Sequence, residues 1–486
     1  MNLGSIFIVR PVMTTLVMVA ILFFGLISYR NLPISDLPNV DYPTLQVTSS
    51  LPGASAETMA SAVSMPLEKQ FATIAGLTQM TSTSTLGQSL ITLQFDQARN
   101  MDGAALDVQA AITAASKQMP PQMTIPPTFA KVNPASQPVI YLAVSSDTLP
   151  LHEVDYYAET LIAQRVSRVG GVAQVQVNGS QVYAVRVQVN PQRLASYNLG
   201  IDDVMNAVVN ANQNQPTGTI WGKHQAFTIQ STNGQLLKAE DYQPVIVSYI
   251  NGAPVRVKDV GRAIDSVQND KQGGWHNGKP AVILAVLKQP GANTIKVVDD
   301  IKALMPTFRS LTPETVKLDV LYDQSQTIRA SIDDVQFTLL LTVGLVIFVI
   351  FIFLGNLSAT LIPSLALPIS VVGTFAAMKL LGFSLDNLSL MALSLSVGFV
   401  VDDAIVMLEN IVRHMEMGEP PMEAALNGAR EIGFTILSMT LSLVAVFIPV
   451  LLMPGIVGRL FNEFAVTISI AILISGFISI SLTPML

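Results

Sequence analysis

The sequence of 486 residues contains no cysteine, two tryptophans and few charged residues. Without cysteine, the chain forms no disulfide and offers no thiolate to a metal, which suits an oxidising compartment without proving one. Charged residues make up 13% of the chain, against about 25% in an average soluble protein. The net charge of −7 argues against nucleic acid as a partner.

Histidine is also scarce, and its distribution bears on catalysis. The four histidines are scattered through the sequence at His152, His224, His276 and His414. None stands in a Ser–His–Asp arrangement or in the spacing of metal ligands. The sequence therefore indicates neither a nucleophilic enzyme nor a metal site, and we expect a protein that is not an enzyme.

Half of the residues are hydrophobic, and the mean hydropathy of +0.48 is too high for an ordinary soluble protein. Six runs approach the roughly 20 apolar residues that a membrane-spanning helix needs. The first is flanked by Arg10 and Arg30 and has no small-residue cleavage site, which indicates a retained anchor and not a signal peptide. We predict spans at Pro11–Tyr29, Phe337–Leu354, Ala359–Met378, Leu388–Leu408, Gly433–Met453 and Phe464–Leu486.

A long polar segment, Arg30–Gln336, separates the first two spans and carries ordinary charge with many prolines and glycines. A segment of this kind is expected to fold in water on one side of the membrane. Its orientation stays open, because long segments cross the membrane largely regardless of charge. We predict three parts: the N-terminus and first span over 1–30, a folded domain over 31–336, and five spans over 337–486.

The folded domain contains a repeated layout of a helix-like run followed by two alternating strands around a turn with glycine. A predicted strand precedes each copy (Leu45–Ser49 and Val139–Ser145), and a helix-like run, Gly103–Met119, follows the first. This is the β-α-β-β-α-β order of the ferredoxin-like pattern. At least two such units are predicted, with an inserted region at about 180–266. The two copies are LEKQFATIAGLTQMTSTSTLGQSLITLQF (Leu67–Phe95) and AQRVSRVGGVAQVQVNGSQVYAVRVQV (Ala163–Val189).

Near the end of the fourth predicted span the sequence reads GFVVDDAIVMLEN, with Asp402 and Asp403 adjacent. Successive residues of a helix differ by about 100°, so these two side chains cannot point the same way. Counting back in fours from Asp402 gives Gly398 and Ser394, small residues that permit close approach of a second helix. We therefore expect Asp402 to face a neighbouring helix and Asp403 to lie on the adjacent face.

Two interpretations of the aspartates are open. In the first, the helix ends at Val401 and both acids lie at the water interface, but Ala404–Leu408 continues apolar. In the second, which we favour, the pair is a proton site, because carboxyl groups in a low dielectric can load and release protons and titrate together. None of the six spans has an interior Lys or Arg. A cation that pairs with the ionised form would have to come from outside this sequence.

The stretch GFVVDDAIVMLEN resembles the fourth-helix motif of the resistance–nodulation–division (RND) efflux permeases. FLGNLSATLIPSLALPISVVGTFAAM and GFSLDNLSLMAL resemble the second-to-fourth helix region of that family. LPISDLPNVDYPTLQVTSSLPGASAETM resembles the segment that leaves its first helix. The resemblance covers the whole chain and is strongest to the multidrug, hydrophobe/amphiphile subgroup that uses two different permeases together.

The resemblance implies an α-helical bundle in the bacterial inner membrane and a large periplasmic α+β domain with porter and docking subdomains. It implies an antiporter driven by the proton gradient, with no cofactor, that exports amphiphilic small molecules. Such permeases are trimers, and the trimer here would contain either copies of one permease or this permease together with a second related one. They work with a periplasmic adaptor protein and an outer-membrane channel. They have twelve spans in two duplicated halves, and their intramembrane lysine lies in the second half. We expect this chain to be the N-terminal half, either a fragment of such a permease, which we favour, or one of two separate chains.

Site residues follow from the same resemblance. Asp402 and Asp403 match the proton-relay pair, and two acids there favour organic amphiphiles over copper or silver as substrates. At two of the pocket-lining positions, Val139 and Asn178, drug-exporting relatives carry phenylalanine, so we expect a narrower or more polar substrate range, or drug binding by a partner permease. Ordinary strand packing stays an alternative for each pocket position. The positions that match the drug pocket are Thr48, Thr92, Val139, Gln176, Asn178 and Gln272.

The polar segment Asn206–Trp221 matches the arm that reaches into the neighbouring protomer, with a plain exposed loop as the alternative. Two other functions stay open for the whole chain. One is a related membrane protein that uses proton flow to assist secretion, and the other is a structural or assembly partner of a second permease. The repeated domain and the arm favour export. The predicted arm residues are Asn210, Asn212, Gln215 and Trp221.

Overall fold

The structure is a computed structural model that describes residues 3–38, 43–96, 98–121, 123, 125–133, 137–212, 218–229, 235–355 and 357–486. The chain divides into two compact units. The helix-rich unit consists of Met1–Val139, Lys288–Val298 and Gln324–Leu486. The sheet-rich unit consists of Ile140–Leu287 and Asp299–Asp323.

The helix-rich unit opens with two helices and then forms the first sheet. The strands of this sheet lie in the order β2-β3-β1-β4, and each neighbouring pair is antiparallel. A π-helical turn, Ala60–Ser64, joins α3 to α4, and a 3-10 turn, Ser116–Gln118, follows α5. The elements are α1 (Leu3–Val9), α2 (Pro11–Asn31), β1 (Thr44–Ser50), α3 (Ala56–Met59), α4 (Met65–Phe71), β2 (Leu77–Thr85), β3 (Gln88–Phe95), α5 (Met101–Ala115) and β4 (Thr128–Val132).

The first sheet buries one face and exposes the other, because side chains alternate along a strand. Leu45 and Val47 of β1 and Ile91 and Leu93 of β3 are buried in a core shared with α4 and α5. The opposite face carries polar side chains, including the exposed Thr48. The apolar residues thus fix the register of the sheet and leave a polar surface open.

The chain from β5 to β15 forms a second sheet with a long excursion. Strands lie in the order β13-β14-β5-β15, and β6 also pairs with β14. A π-helical turn, Tyr157–Ala163, joins α6 to α7. The elements are β5 (Ile140–Ser146), α6 (Leu151–Tyr156), α7 (Gln164–Val166), β6 (Val172–Asn178), β7 (Tyr183–Val189), α8 (Pro191–Ser196), α9 (Ile201–Ala211), β8 (Thr219–Trp221), β9 (Ala226–Thr228), α10 (Ala239–Tyr242), β10 (Ile246–Ile250), β11 (Ala253–Arg256), α11 (Val257–Val260), β12 (Gly261–Val267), β13 (Trp275–His276), β14 (Lys279–Lys288), α12 (Thr294–Leu311) and β15 (Val316–Asp323).

The two strands predicted in Ala163–Val189 are present as β6 and β7, but they do not pair with each other. Strand β7 pairs with β12, with Tyr183 opposite Val267, and β14 is the strand that pairs with β6. At the turn after β6, Gly179 has φ +72°, and a Cβ there would lie 2.6 Å from the backbone N of Gly274. The turn therefore packs on the loop that leads to β14, and the chain leaves the sheet before β7.

The chain ends in five long helices. Together with α2 they make six helices, within the described residues, that are long and apolar enough to cross a membrane. The bounds differ most from the predicted spans at four helices: α13 starts at Gln324, α15 ends at Glu416, α16 starts at Pro421, and the last helix runs from Gly455 to Ser481. Helical turns with polar side chains extend α13 and α16 beyond their apolar runs. The last helix ends before Pro484, because proline has no backbone N–H for the next hydrogen bond of the helix. The helices are α13 (Gln324–Leu354), α14 (Leu357–Leu380), α15 (Asn387–Glu416), α16 (Pro421–Leu451) and α17 (Gly455–Ser481).

Candidate functional site in α15

The start of α15 is fixed by a side-chain cap. Asp386 Oδ1 accepts hydrogen bonds from the backbone N–H groups of Leu388 and Ser389, each at 2.9 Å. The chain before the cap is held by the segment after α2, since the N–H of Leu385 donates to the carbonyl oxygen of Pro33 at 2.8 Å. An aspartate cap of this kind stabilises a helix start by about 1 kcal/mol. The cap sets where α15 begins and so places Asp402 and Asp403 midway along it.

Asp403 is 1% exposed and lies on the face of α15 that packs against α16 and α17. Thr440 of α16 places Oγ1 at 3.4 Å from Asp403 Oδ2. One turn earlier in α15, the carbonyl oxygen of Val400 accepts a hydrogen bond from Ser475 Oγ of α17 at 2.8 Å. A buried carboxyl group must be neutral, paired or hydrogen-bonded, because burying an isolated charge is costly. The geometry therefore gives Asp403 a polar neighbour that carries no charge.

Asp402 lies on the other face of α15, which is not covered within the described part of this chain, so the prediction that it faces a neighbouring helix stays a prediction. Asp402 and Gly398 are both exposed, and Ser394 is only half-buried. Small residues permit a second helix to pack closely, but they do not by themselves place a helix against that face. The packed face is instead formed by large apolar residues and by Ser389 and Ser396. The prediction that Asp403 lies on the adjacent face holds, and that face is the buried one.

A second buried acidic group lies at the first turns of α17, and the sequence reasoning missed it. Glu463 is 9% exposed and its Oε2 accepts from the backbone N–H of Ser384 at 3.3 Å. Ser384 Oγ lies 2.8 Å from Asp386 Oδ2 and 3.4 Å from Glu463 Oε2. The sixth span was predicted to begin at Phe464, whereas α17 begins at Gly455. Glu463 could have been predicted from the same pattern as Asp403, because each is an acidic residue inside an apolar helix.

Three of the predicted pocket residues belong to the helix-rich unit. Thr48 is exposed and Thr92 half-buried on the polar face of the first sheet. In the register, Thr48 lies opposite Leu90 and Thr92 opposite Gln46, which puts the two threonines on one face in diagonal positions. Val139 is fully buried, so a ligand would reach it only after its neighbours had moved.

The other three predicted pocket residues belong to the sheet-rich unit. Gln176 and Asn178 are exposed and lie two residues apart on β6, hence on one side of that strand. Gln272 is also exposed, and its carbonyl oxygen accepts a hydrogen bond from Gln181 Nε2 at 3.2 Å. The six positions are thus divided equally between the two units, and a shared pocket stays a prediction.

The predicted arm has two kinds of surface. Asn212 follows α9 and holds the chain locally, since its Nδ2 donates to Tyr242 Oη at 3.0 Å and its Oδ1 accepts from the N–H of Leu236 at 2.9 Å. Asn210 is exposed on α9, and Trp221, at the end of β8, is 81% exposed. Gln215 lies outside the described residues. The hairpin of β8 and β9 therefore exposes three large apolar side chains, Ile220, Trp221 and Phe227.

In the part of the chain that the structure describes, no group of three or more His, Asp or Glu side chains could hold a metal ion. The carboxyl groups of α15 form the candidate site. Its elements are an acid enclosed by α16 and α17 and a neighbouring acid on the open face of the same helix.

Comparison with known proteins identifies the class to which this arrangement belongs. The family model described as the AcrB/AcrD/AcrF family matches residues 3–486. The chain therefore belongs to this family, that of the RND permeases, and six apolar helices with mixed sheets and helices are consistent with it. The resemblance seen in the sequence motifs is confirmed.

Individual relatives narrow the comparison. The multidrug resistance protein MdtC of Yersinia enterocolitica is 50% identical over 486 residues, which are 100% of this chain and 47% of that protein. The MdtC proteins of Yersinia pseudotuberculosis and Pectobacterium carotovorum are each 51% identical over the same extent. The chain is MdtC-like, spans about half the length of these relatives and corresponds to their N-terminal half.

Proposed function

We propose that this chain is the first half of an inner-membrane antiporter that exchanges protons for amphiphilic organic compounds. The observation that carries the proposal is Asp403, an acid that is 1% exposed inside an apolar helix of membrane-spanning length. Intramembrane acids of this kind mark proton or substrate pathways more often than structural contacts. The relatives that match the whole chain are named multidrug resistance proteins, which favours drugs as the exchanged molecules.

The proposal includes a finer architecture. The six long helices form one bundle in the membrane, and both sheets are periplasmic ferredoxin-like units. Two features support this interpretation: β1 to β4 follow the chain order β-α-β-β-α-β, and the order β6-β14-β5-β15 repeats the order β2-β3-β1-β4. The excursion from β7 to β12 is then the docking region.

The proposal also includes an assembly. The permease is a trimer, with itself or with a second related permease, and it delivers substrate through a periplasmic adaptor and an outer-membrane channel. The exposed Trp221 supports the role of the arm, because tryptophan is enriched at protein interfaces. No cofactor takes part, since the proton gradient supplies the free energy.

In the proposed mechanism, Asp402 and Asp403 take up protons from one side of the membrane and release them to the other. The charge state of Asp403 alters packing between α15 and α16, and this change biases the porter region between conformations with different access. A proton can drive such a cycle only if it binds the two conformations with different affinity. The polar positions Thr48, Thr92, Gln176, Asn178 and Gln272, with the apolar Val139, are the proposed substrate contacts.

The test is dye efflux from cells that carry the complete pump. Asp402→Asn and Asp403→Asn, at matched expression and with the assembly intact, are expected to lose at least about 10-fold in efflux, because an amide cannot carry the exchanged proton. Glu409→Gln is the matched control, since Glu409 is an exposed acid on the same helix. Wild-type efflux from both aspartate variants would refute the proposal and favour an assembly role, with protons conducted by a partner permease.

A second readout addresses the alternative in which proton flow assists secretion. In that case the same two aspartate variants would lower protein secretion while the cells kept their tolerance to amphiphilic drugs. The antiport proposal expects the opposite pattern, with drug tolerance lost and secretion unchanged.

A further inference from the structure

Thr440 lies between the buried acid and the backbone of its own helix. It is 3% exposed, and its Oγ1 is 2.8 Å from the carbonyl oxygen of Ile436, one turn earlier in α16. The same Oγ1 is 3.4 Å from Asp403 Oδ2 of α15. A hydroxyl group has one hydrogen to donate and two lone pairs to accept with. Thr440 can therefore donate to Ile436 or to Asp403, but not to both at once.

Which of the two acceptors receives the hydrogen bond from Thr440 depends on whether Asp403 is protonated. When Asp403 is protonated, its O–H can donate to Thr440 Oγ1 while Thr440 donates to the carbonyl oxygen of Ile436. When Asp403 has lost that proton, both of its oxygens only accept, so the hydroxyl hydrogen of Thr440 must turn to the carboxylate. The bond to Ile436 is then lost, and one backbone carbonyl of α16 is left without the extra donor.

We propose that Thr440 is a positioning residue that couples the charge of Asp403 to the backbone of α16. The inference rests on the proposed antiport function and names the first contact through which a proton acts on a second helix. Threonine hydroxyls that bond to the carbonyl one turn earlier bend helices slightly. Exchange of that bond is therefore a change that the helix can transmit.

The third helix keeps Thr440 in place. A Cβ at Gly476 of α17 would lie 2.6 Å from Thr440 Oγ1 and 3.1 Å from Thr440 Cγ2, so only glycine lets α17 approach this closely. Ser475, the preceding residue, holds α17 to α15 through its bond to the carbonyl oxygen of Val400. The hydroxyl group of Thr440 is thus confined between its two acceptors.

The charged surroundings of Asp403 are simple within this sequence. Asp402 is the ionisable residue adjacent to it on the same helix. The stretches 433–451 of α16 and 464–481 of α17 contain no Lys, Arg, Asp or Glu, and neither do 11–29 of α2 nor 359–378 of α14; Arg430, Glu431 and Glu463 lie outside these stretches. Thr440 is therefore the hydrogen-bonding side chain through which α16 meets the proton site.

The test measures dye transport by the full-length protein in proteoliposomes as a function of pH. Thr440→Val keeps the shape of the side chain but removes the donor, and we expect its pH profile to move to higher pH by about half a unit to one unit. Valine removes a hydrogen bond from both protonation states of Asp403, but the bond to the ionised carboxylate is the stronger of the two, so the proton is retained to higher pH. Thr440→Ser should keep the wild-type profile, because serine restores the donor.

Thr374→Val is the matched control. Thr374 of α14 is also fully buried, and its Oγ1 donates to the carbonyl oxygen of Ser370 at 2.8 Å in the same manner. We expect this variant to keep the wild-type profile. An unmoved profile in Thr440→Val, or an equal movement in Thr374→Val, would overturn the role of Thr440.

An infrared experiment tests this inference independently of the proposed function. Infrared titration follows the carboxyl band that Asp403→Asn removes, and Thr440→Val should move the pH at which that band disappears. If Asp403→Asn transports like wild type, antiport at this site fails, yet the infrared titration still decides whether Thr440 bonds to Asp403. A band that titrates identically in wild type and Thr440→Val would overturn the inference by itself.

Discussion

The two faces of α15 differ in what surrounds them. On the packed face, Asp403 lies among α16 and α17 with the buried Val400 and Met407 as neighbours. On the open face, Asp402 is exposed beside Gly398, and Met391 is 50% exposed. Both faces carry an acid, yet only one of them is covered by this chain.

The difference indicates where the missing partner of the acids would act. The packed face offers Asp403 a hydroxyl group, which can respond to a proton but cannot neutralise a charge. The open face combines a carboxyl group with a glycine, whose Cβ would meet nothing within 4 Å. Under the proposed function, we expect this open face to meet the cation that the six spans lack.

The largest expected effect comes from filling a glycine on a packed surface. A Cβ at Gly25 of α2 would lie 2.2 Å from the carbonyl oxygen of Val372 in α14. Gly25→Ala must push two helices apart, and we expect it to lower the free energy of unfolding by about 3 kcal/mol. Thermal unfolding of the purified full-length protein in detergent measures the loss.

Gly398→Ala is the matched variant on the open face of α15. If that face stays open, alanine should stabilise the helix by about 0.5–1 kcal/mol. If another helix covers the face in the full-length protein, the same change should destabilise it, so the sign reports whether the face is covered. Equal stability of Gly25→Ala and wild type would contradict the packing of α2 against α14.

A smaller effect is expected at the contact between α16 and α17. Gly476→Ala presses a methyl group on the side chain of Thr440, which can give way by rotating about χ1. We expect a loss of about 1–2 kcal/mol in unfolding free energy, together with reduced transport. Gly433→Ala is the control, because a Cβ at this position of α16 meets nothing within 4 Å. Unchanged stability and transport in Gly476→Ala would show that Thr440 is not confined.

Local features of the sequence predicted much of this structure. The six apolar runs correctly predicted the six long helices, because a membrane span needs about 20 apolar residues wherever it occurs. Their bounds were less accurate, as at α13 and α16, since polar helical turns beyond the membrane carry no apolar signal. The hairpin of β2 and β3 was predicted from a short turn, whereas the partner of β7 lies far along the chain at β12 and left no local signal.

The candidate site shows the same limit. An acid in an apolar run could be recognised from the sequence, and Asp403 was found in this way. Which of two adjacent acids is buried depends on the helices that pack around them, and the small residues Gly398 and Ser394 mark the face that this chain leaves open. Thr440 carried no signal, because a threonine in an apolar helix is common and its contact with Asp403 joins two different helices.

The sheet-rich unit also contains an exposed and a buried acid, Asp147 and Asp155. Hydrogen bonds from Lys279 and Lys317 lower the pKa of the exposed Asp147 to about 2. Asp155 of α6 is 2% exposed, and its Oδ2 accepts a hydrogen bond from Ser180 Oγ at 3.0 Å. Burial raises the pKa of Asp155 above its ordinary value of 3.8, against the opposing effect of that hydrogen bond. The two acids therefore respond to pH in opposite senses.

The smallest expected effect is the removal of the charge at Asp155. Because the folded chain holds this proton to higher pH than the unfolded chain, its contribution to stability is complete below about pH 4 and is lost as the pH rises through the raised pKa. Asp155→Asn should match wild type near pH 4 and be more stable at pH 7, by about 1 kcal/mol or less. Hydrogen exchange of peptides that cover α6 and the turn after β6, in the full-length protein at both pH values, measures this. Faster exchange in Asp155→Asn at pH 7 would mean that the ionised carboxylate holds the turn and that its hydrogen bond outweighs its burial.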